Sequence, residues 1–251
     1  MGRFLVPELN MKNRKVMAIV LGLCLWASPC LAIVNEIDSN FDGKIDKWEH
    51  LSAQGKLVKI EYDDDHDGKI DQVEFYDKNK KLSRVEFDDN HDGRMDVFQF
   101  YSADGKLERV EKSSKSDGRI DRKQFFGPNG KLVKIEFDDD HDGKTETWQF
   151  YDRHEKMIRQ EADSDKNGKV DRWSYFEPDA SLKRMAFDTD GNGKPDQWQY
   201  FYASGKLKRV EYDSNKDGKA DRWEHFDKSE KLFLIEFDRN FDGKVDMTQK
   251  K

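Results

Sequence analysis

Nine stretches of this 251-residue chain place polar side chains at the first, third, fifth and ninth positions around a glycine at the sixth. The glycines are Gly43, Gly68, Gly93, Gly118, Gly143, Gly168, Gly193, Gly218 and Gly243, spaced by 25 residues without an insertion. Eight stretches carry oxygen at all four positions. In chain order these are Asp38, Asn40, Asp42 and Asp46; Asp63, Asp65, Asp67 and Asp71; Asp88, Asn90, Asp92 and Asp96; Asp138, Asp140, Asp142 and Glu146. The series continues with Asp163, Asp165, Asn167 and Asp171; Asp188, Asp190, Asn192 and Asp196; Asp213, Asn215, Asp217 and Asp221; Asp238, Asn240, Asp242 and Asp246. Hard cations such as calcium take about six to eight oxygen ligands, and a tight loop turns alternate side chains to its inside. The glycine allows the sharp turn, and the seventh residue offers only its backbone carbonyl. Calcium is therefore the expected cofactor.

The pattern resembles the calcium loop of EF-hands, and more closely the DxDxDG loops of dockerins, thrombospondin type 3 repeats and bacterial calcium-repeat proteins. The resemblance covers about a third of each repeat and implies calcium ligation by these side chains. An EF-hand also wants a bidentate Glu at position twelve. Only Glu49, Glu74 and Glu224 stand there, so the acid at position nine is expected to close a shorter loop. The fourth stretch breaks the rule. It has Ser113 and Lys115 at positions one and three and is expected to hold no ion.

The elements between loops read as strands. Aromatic residues alternate with polar ones in segments such as Asp71–Tyr76, and a glycine-containing turn leads into a second alternating run such as Lys56–Asp63. Alternation with Trp, Phe and Tyr enrichment favours strand over helix. A fixed period means a repeat architecture whose units bury surface only against their neighbours. The fold expected is all-β: 25-residue β-hairpin repeats in a coiled or closed antiparallel meander, with the acidic loops along one edge. The hairpin rhythm also looks like MORN-type arrays. The Trp148 and Phe150 rows are expected to share the inner face with the Ile60 and Val85 row. The cations (Arg84, Arg109, Arg159) and acids (Glu86, Glu111, Glu161) would line the outer face, with Tyr76, Tyr101 and Tyr151 among them.

Met1–Ala32 looks like a secretory signal. Lys12, Arg14 and Lys15 form its basic region, Val16–Trp26 its apolar run, and Cys30-Leu31-Ala32 its cleavage site. Met11 is an alternative start, and Cys30 an alternative site of lipidation. The domain reading is a signal peptide over 1–32, then nine loops spaced by eight hairpin repeats over 33–251. The apolar run is too short to span a membrane. Export to the periplasm, the cell surface or the medium follows as an expectation.

Both cysteines, Cys24 and Cys30, fall inside the leader, so no disulfide is available to the remainder. Removing the leader takes the net charge from −7 to −10, which leaves no basic patch for nucleic acid. Charged residues make up 39% of the chain, a disorder-like composition, but regularly placed aromatics at 12% argue for folding. His66, His91 and His141 occupy position four of their loops and are expected to point into solvent. No nucleophile elbow, HExxH, P-loop or GxGxxG is present. Carboxylates recurring in nearly equivalent copies do not read as a catalytic pair, so no enzyme is expected. The functional expectation is a calcium-binding exported repeat protein with a structural, scaffold or adhesive role. A carbohydrate- or envelope-binding module using exposed aromatics is the alternative, with a protein or glycan partner on the cell envelope.

Overall fold

A computed structural model describes residues 33–251; the leader expected at Met1–Ala32 lies outside the described residues. The described chain is one 18-stranded sheet with no helix. Its first nine strands are β1 (Ile33–Ile37), β2 (Lys47–Leu51), β3 (Leu57–Tyr62), β4 (Gln72–Tyr76), β5 (Leu82–Phe87), β6 (Val97–Tyr101), β7 (Leu107–Lys112), β8 (Arg122–Phe126) and β9 (Leu132–Phe137). The rest are β10 (Thr147–Tyr151), β11 (Met157–Ala162), β12 (Arg172–Phe176), β13 (Leu182–Phe187), β14 (Gln197–Phe201), β15 (Leu207–Tyr212), β16 (Arg222–Phe226), β17 (Leu232–Phe237) and β18 (Met247–Lys250).

Every strand pairs antiparallel with the one before and the one after it. Among the described residues no strand touches any other, so the meander is open, and β1 and β18 are its edges. The closed alternative does not form. Among the described residues no second layer packs on either face. That is the physical reason for so many charged side chains.

Two kinds of turn alternate. At one end, five-residue turns such as Ser52–Lys56 are closed by Ser52 N–H to the Lys56 carbonyl, with Gly55 at φ +71°. Lys80, Glu155, Ala180 and Glu230 adopt the same left-handed conformation in their own turns. At the other end, the acidic loops join consecutive strands. In the second loop, Asp71 N–H donates to the Tyr62 carbonyl and fixes the pairing of Tyr62 with Gln72.

This register corrects the expected faces. Trp148 lies opposite Glu136 and Glu161, and Phe150 lies opposite Lys134 and Arg159. The Trp and Phe rows therefore share a face with the cations and acids, not with the aliphatic row. Ile135 instead faces Gln124 and Gln149. Beside the turns, each pairing shifts by one residue, as between Phe75 and Tyr76, where Tyr76 pairs with Leu82. Tyr76 alternates with Glu74 and so shares the Val85 face, and the β-bulge, with Ser83 as the extra residue, brings Leu82 onto that face opposite it. The Tyr76 hydroxyl donates to Glu74, and Tyr101 donates likewise to Gln99.

Both faces are built from cross-strand ladders in which an apolar residue alternates with a long amphipathic one. On the first face Arg84 stacks 4.1 Å over Phe75, Arg109 4.1 Å over Phe100, and Arg159 4.1 Å over Phe150. On the second, Ile60, Val85, Ile135, Val210 and Ile235 are buried although nothing packs above them. Their neighbours along the row, Gln and Glu with tyrosine hydroxyls bound to them, supply the cover.

Candidate metal centres in the edge loops

The acidic loops organise their side chains with their own backbone. In all nine, the N–H of the glycine at position six donates to the side chain at position one, as Gly68 does to Asp63 at 3.0 Å. The N–H of position seven donates to position five in every copy, as Lys69 does to Asp67 at 2.8 Å. The N–H of position five donates to position three in eight loops and is missing only where Lys115 stands. Position nine accepts the N–H of position two in every loop but the third, as Asp71 does from Asp64 at 2.7 Å. At position one, Asp38, Asp88, Asp138, Asp163, Asp188, Asp213 and Asp238 accept backbone N–H groups through both oxygens, whereas Asp63 accepts through Oδ2 alone.

Positions one and nine are buried in most loops, the exceptions being half-buried Asp38 and Asp171 and exposed Asp246. Asp63, Asp88, Asp138, Asp163, Asp188, Asp213 and Asp238 line the inner side of their loops, and Asp46, Asp71, Asp96, Glu146, Asp196 and Asp221 close them. Burying carboxylates is costly unless they are hydrogen-bonded and their charge is met. The fifth loop shows the electrostatic consequence. Burial pushes the Glu146 carboxyl above its ordinary range, and the charges of Asp140, Asp138 and Asp142 push in the same direction against one N–H from Asp139.

Four loops bring carboxylates within 4.8 Å of one another: Asp63, Asp65 and Asp67; Asp138, Asp140, Asp142 and Glu146; Asp163, Asp165 and Asp171; Asp188, Asp190 and Asp196. That limit is about twice a Ca–O bond, so one ion can touch all members of a group. An Asp at position three, whether Asp65, Asp140, Asp165 or Asp190, belongs to every group. Loops with Asn40, Asn90, Asn215 or Asn240 there have no such carboxylate group, so the expected ligands Asp38, Asp42 and Asp46, Asp88, Asp92 and Asp96, Asp213, Asp217 and Asp221, and Asp238, Asp242 and Asp246 do not converge as triads. Position nine joins the groups of the fifth, sixth and seventh loops.

The position-four residues depart from expectation. They have positive φ, from 53° at Ser116 to 66° at His66, and Gly191 occupies the same slot at 74°. This conformation throws the side chain back over the preceding loop. His91 Nδ1 lies 2.6 Å from Asp71, His141 Nε2 lies 3.0 Å from Asp121, and His66 Nε2 lies 2.6 Å from the Asn40 amide. The histidines therefore bridge consecutive loops rather than pointing away. The Asp71 hydrogen bond raises the His91 imidazole above its ordinary value. Lys166 and Lys216 use the same slot to reach Asp140 and Asp190. Those contacts lower both carboxyls, Asp190 to about 2. The one sequence clue to this conformation is Gly191.

Loop four is built differently. Ser113 takes the Gly118 N–H, and Lys115 lies 3.2 Å from His141 of the next loop.

Fold and loops together define a class: an open tandem-repeat β-meander with acidic edge loops that can hold metal ions. No protein-family model matches the chain, and no curated protein matches it. Among solved structures, it is similar to TarM over 54% of this chain and 20% of that one, at 16% identity and a TM-score of 0.25. The GtfA/B complex bound to UDP and GlcNAc aligns over 52% of this chain and 22% of that one, at 11% identity and a TM-score of 0.18. The TcdB2-TccC3-Cdc42 structure aligns over 85% of this chain and 14% of that one, at 11% identity and a TM-score of 0.22.

Proposed function

We propose that this chain is an exported calcium-binding repeat protein. In this reading calcium neutralises and orders the edge loops, and the meander serves as an extended structural or adhesive surface. The observation that carries it is the convergence of carboxylates around the Asp at position three in four loops, each oriented by backbone N–H donors. The donor set is all oxygen, which suits calcium. Magnesium favours fewer protein ligands and retained water. Lacking position-twelve Glu in most copies, the loops fit affinities on the order of 10⁻⁴–10⁻³ M, those of extracellular modules. Binding rather than catalysis is supported by the near-identity of the loops, and export by the basic and apolar runs before Ile33.

Native mass spectrometry during a calcium titration, run beside far-UV circular dichroism, tests this. At least four bound ions with a rising sheet signal is the expected result. Chelated protein with an unchanged sheet signal, and no ions taken up on adding calcium, overturns it.

One observation favours a second reading, glycan binding. A groove of about 640 Å³ is lined by Phe150, Tyr151, Tyr175 and Phe176 together with Arg159 and Arg184. The arginines stack on Phe150 at 4.1 Å and on Tyr175 at 4.3 Å, so a sugar ring would have to displace them. Glycan binding lost on replacing Tyr151, with calcium uptake intact, would establish this reading.

A further inference from the structure

The second loop differs from the other three that gather carboxylates. Asp65 and Asp71 converge not only with their own loop but with His91, which arrives from the next repeat to form a group within 4.8 Å. His91 Nδ1 stands 2.6 Å from Asp71 Oδ1 and 3.4 Å from Asp65 Oδ2. The second of these is the spacing of neighbouring ligands around one tetrahedral ion at about 2.1 Å from each. Asp65 also belongs to the group it forms with Asp63 and Asp67. Asp63 is 4% exposed, and its Oδ1 has no hydrogen-bond partner. A buried carboxylate oxygen left without a donor calls for a positive charge beside it.

The other loops serve as internal comparisons. Lys166 sits on Asp140 of the fifth loop and Lys216 on Asp190 of the seventh, whereas Asp65 and Asp71 meet no ammonium group among the described residues. The nearby Lys69 is engaged by Asp67 and by the His91 carbonyl, which holds the His91 backbone against the second loop. The sixth loop receives Gly191 in the slot and gains no ligand. His66 reaches an amide at Asn40, and His141 reaches Asp121 across a loop whose position three is Lys115. Only His91 meets carboxylates at both position three and position nine.

We propose that Asp65, Asp71 and His91 form an inter-repeat site for a borderline transition-metal ion, with zinc as the probe. Imidazole nitrogen suits zinc and its first-row neighbours, whereas calcium takes oxygen alone. Three protein ligands leave a fourth position for water. The ion would clamp two consecutive repeats through side chains rather than within one loop. The proposal shares Asp65 and Asp71 with the calcium reading but does not require calcium at any other loop.

The test is zinc uptake by the full chain in excess calcium, counted by native mass spectrometry, with cobalt absorption as a reporter of nitrogen ligation. Wild type should hold one zinc, and His91→Gln should bind at least tenfold more weakly with its sheet signal unchanged. His141→Gln should bind like wild type. The double change Ser113→Asp with Lys115→Asp places carboxylates beside Asp121 and His141 and should create a second zinc equivalent. Equal zinc uptake by wild type and His91→Gln overturns the proposal. So does absence of zinc, and if calcium ions are still counted in that sample the calcium reading survives. Zinc bound through His91 with no calcium uptake would leave this site standing and remove the calcium reading.

Discussion

The sharpest consequence of calcium at the edge loops concerns the sixth. Asp163, Asp165 and Asp171 converge there, and Gly191 places no cation over them. Once free calcium exceeds the dissociation constant, each tenfold rise stabilises the bound form by about 1.4 kcal/mol per site. Strands touch only their sequence neighbours, so this gain falls on the strands flanking the occupied loop rather than on the whole array. Amide exchange of β11 and β12 should therefore slow about tenfold per decade of calcium, provided that exchange is limited by opening of that hairpin. Asp165→Ala removes the residue common to the group and should flatten the dependence at β11 and β12. The dependence at β9 and β10, which flank the fifth loop, should persist. Hydrogen–deuterium exchange read by peptide mass resolves the two pairs of strands. A slope equal in both pairs for the variant, or absent from both in the wild type, refutes the reasoning.

Two further outcomes follow from the faces of the sheet. Ile135 is 4% exposed, and Ile135→Ala removes roughly three methylene equivalents at about 0.8 kcal/mol each, a loss of about 2–3 kcal/mol. Exchange should quicken in β8–β10 and stay unchanged in β2–β4 and β15–β17; a uniform change would contradict nearest-neighbour packing. Burial, with the charge of Glu74 behind it, pushes the Tyr62 phenol up to about 12. Its folded value lies above its unfolded one, so its stabilising contribution is complete below pH 10 and is lost as pH rises toward 12. The urea midpoint of wild type should fall more steeply across that window than that of Tyr62→Phe, and identical slopes would refute the assignment.

Much of the architecture is legible in the order of residues alone. The 25-residue period implies the hairpins, and the alternating oxygens locate the loops. The faces are not legible from alternation, because alternation within a strand does not say which residue lies across from it. Two apolar rows, Trp148 and Ile135, read naturally as one face. The hairpin closed between Tyr62 and Asp71 sets a pairing that puts each Trp-slot residue opposite the acid row and leaves Tyr76 on the aliphatic side, where the bulge at Ser83 also brings Leu82. Neither device has a residue signature of its own: bulge positions hold Val58, Ser83, Glu108, Val133 and Lys183 alike.

Position four is hidden for a related reason. A left-handed φ at Phe41, Lys166 or Lys216 is imposed by the loop's backbone hydrogen bonds, not by the residue, and only Gly191 advertises it. Yet this slot decides what each preceding loop can do. A lysine there neutralises Asp140 or Asp190 with a side chain that an incoming ion must displace. Gly191 brings no side chain of the next repeat to Asp165, and His91 adds a nitrogen to Asp65 and Asp71. Because the strands themselves meet only their neighbours, the slot is also a second line of contact between repeats along the loop edge. Variation at one position in an otherwise uniform repeat is thus enough to give chemically different sites to loops that share the same fold.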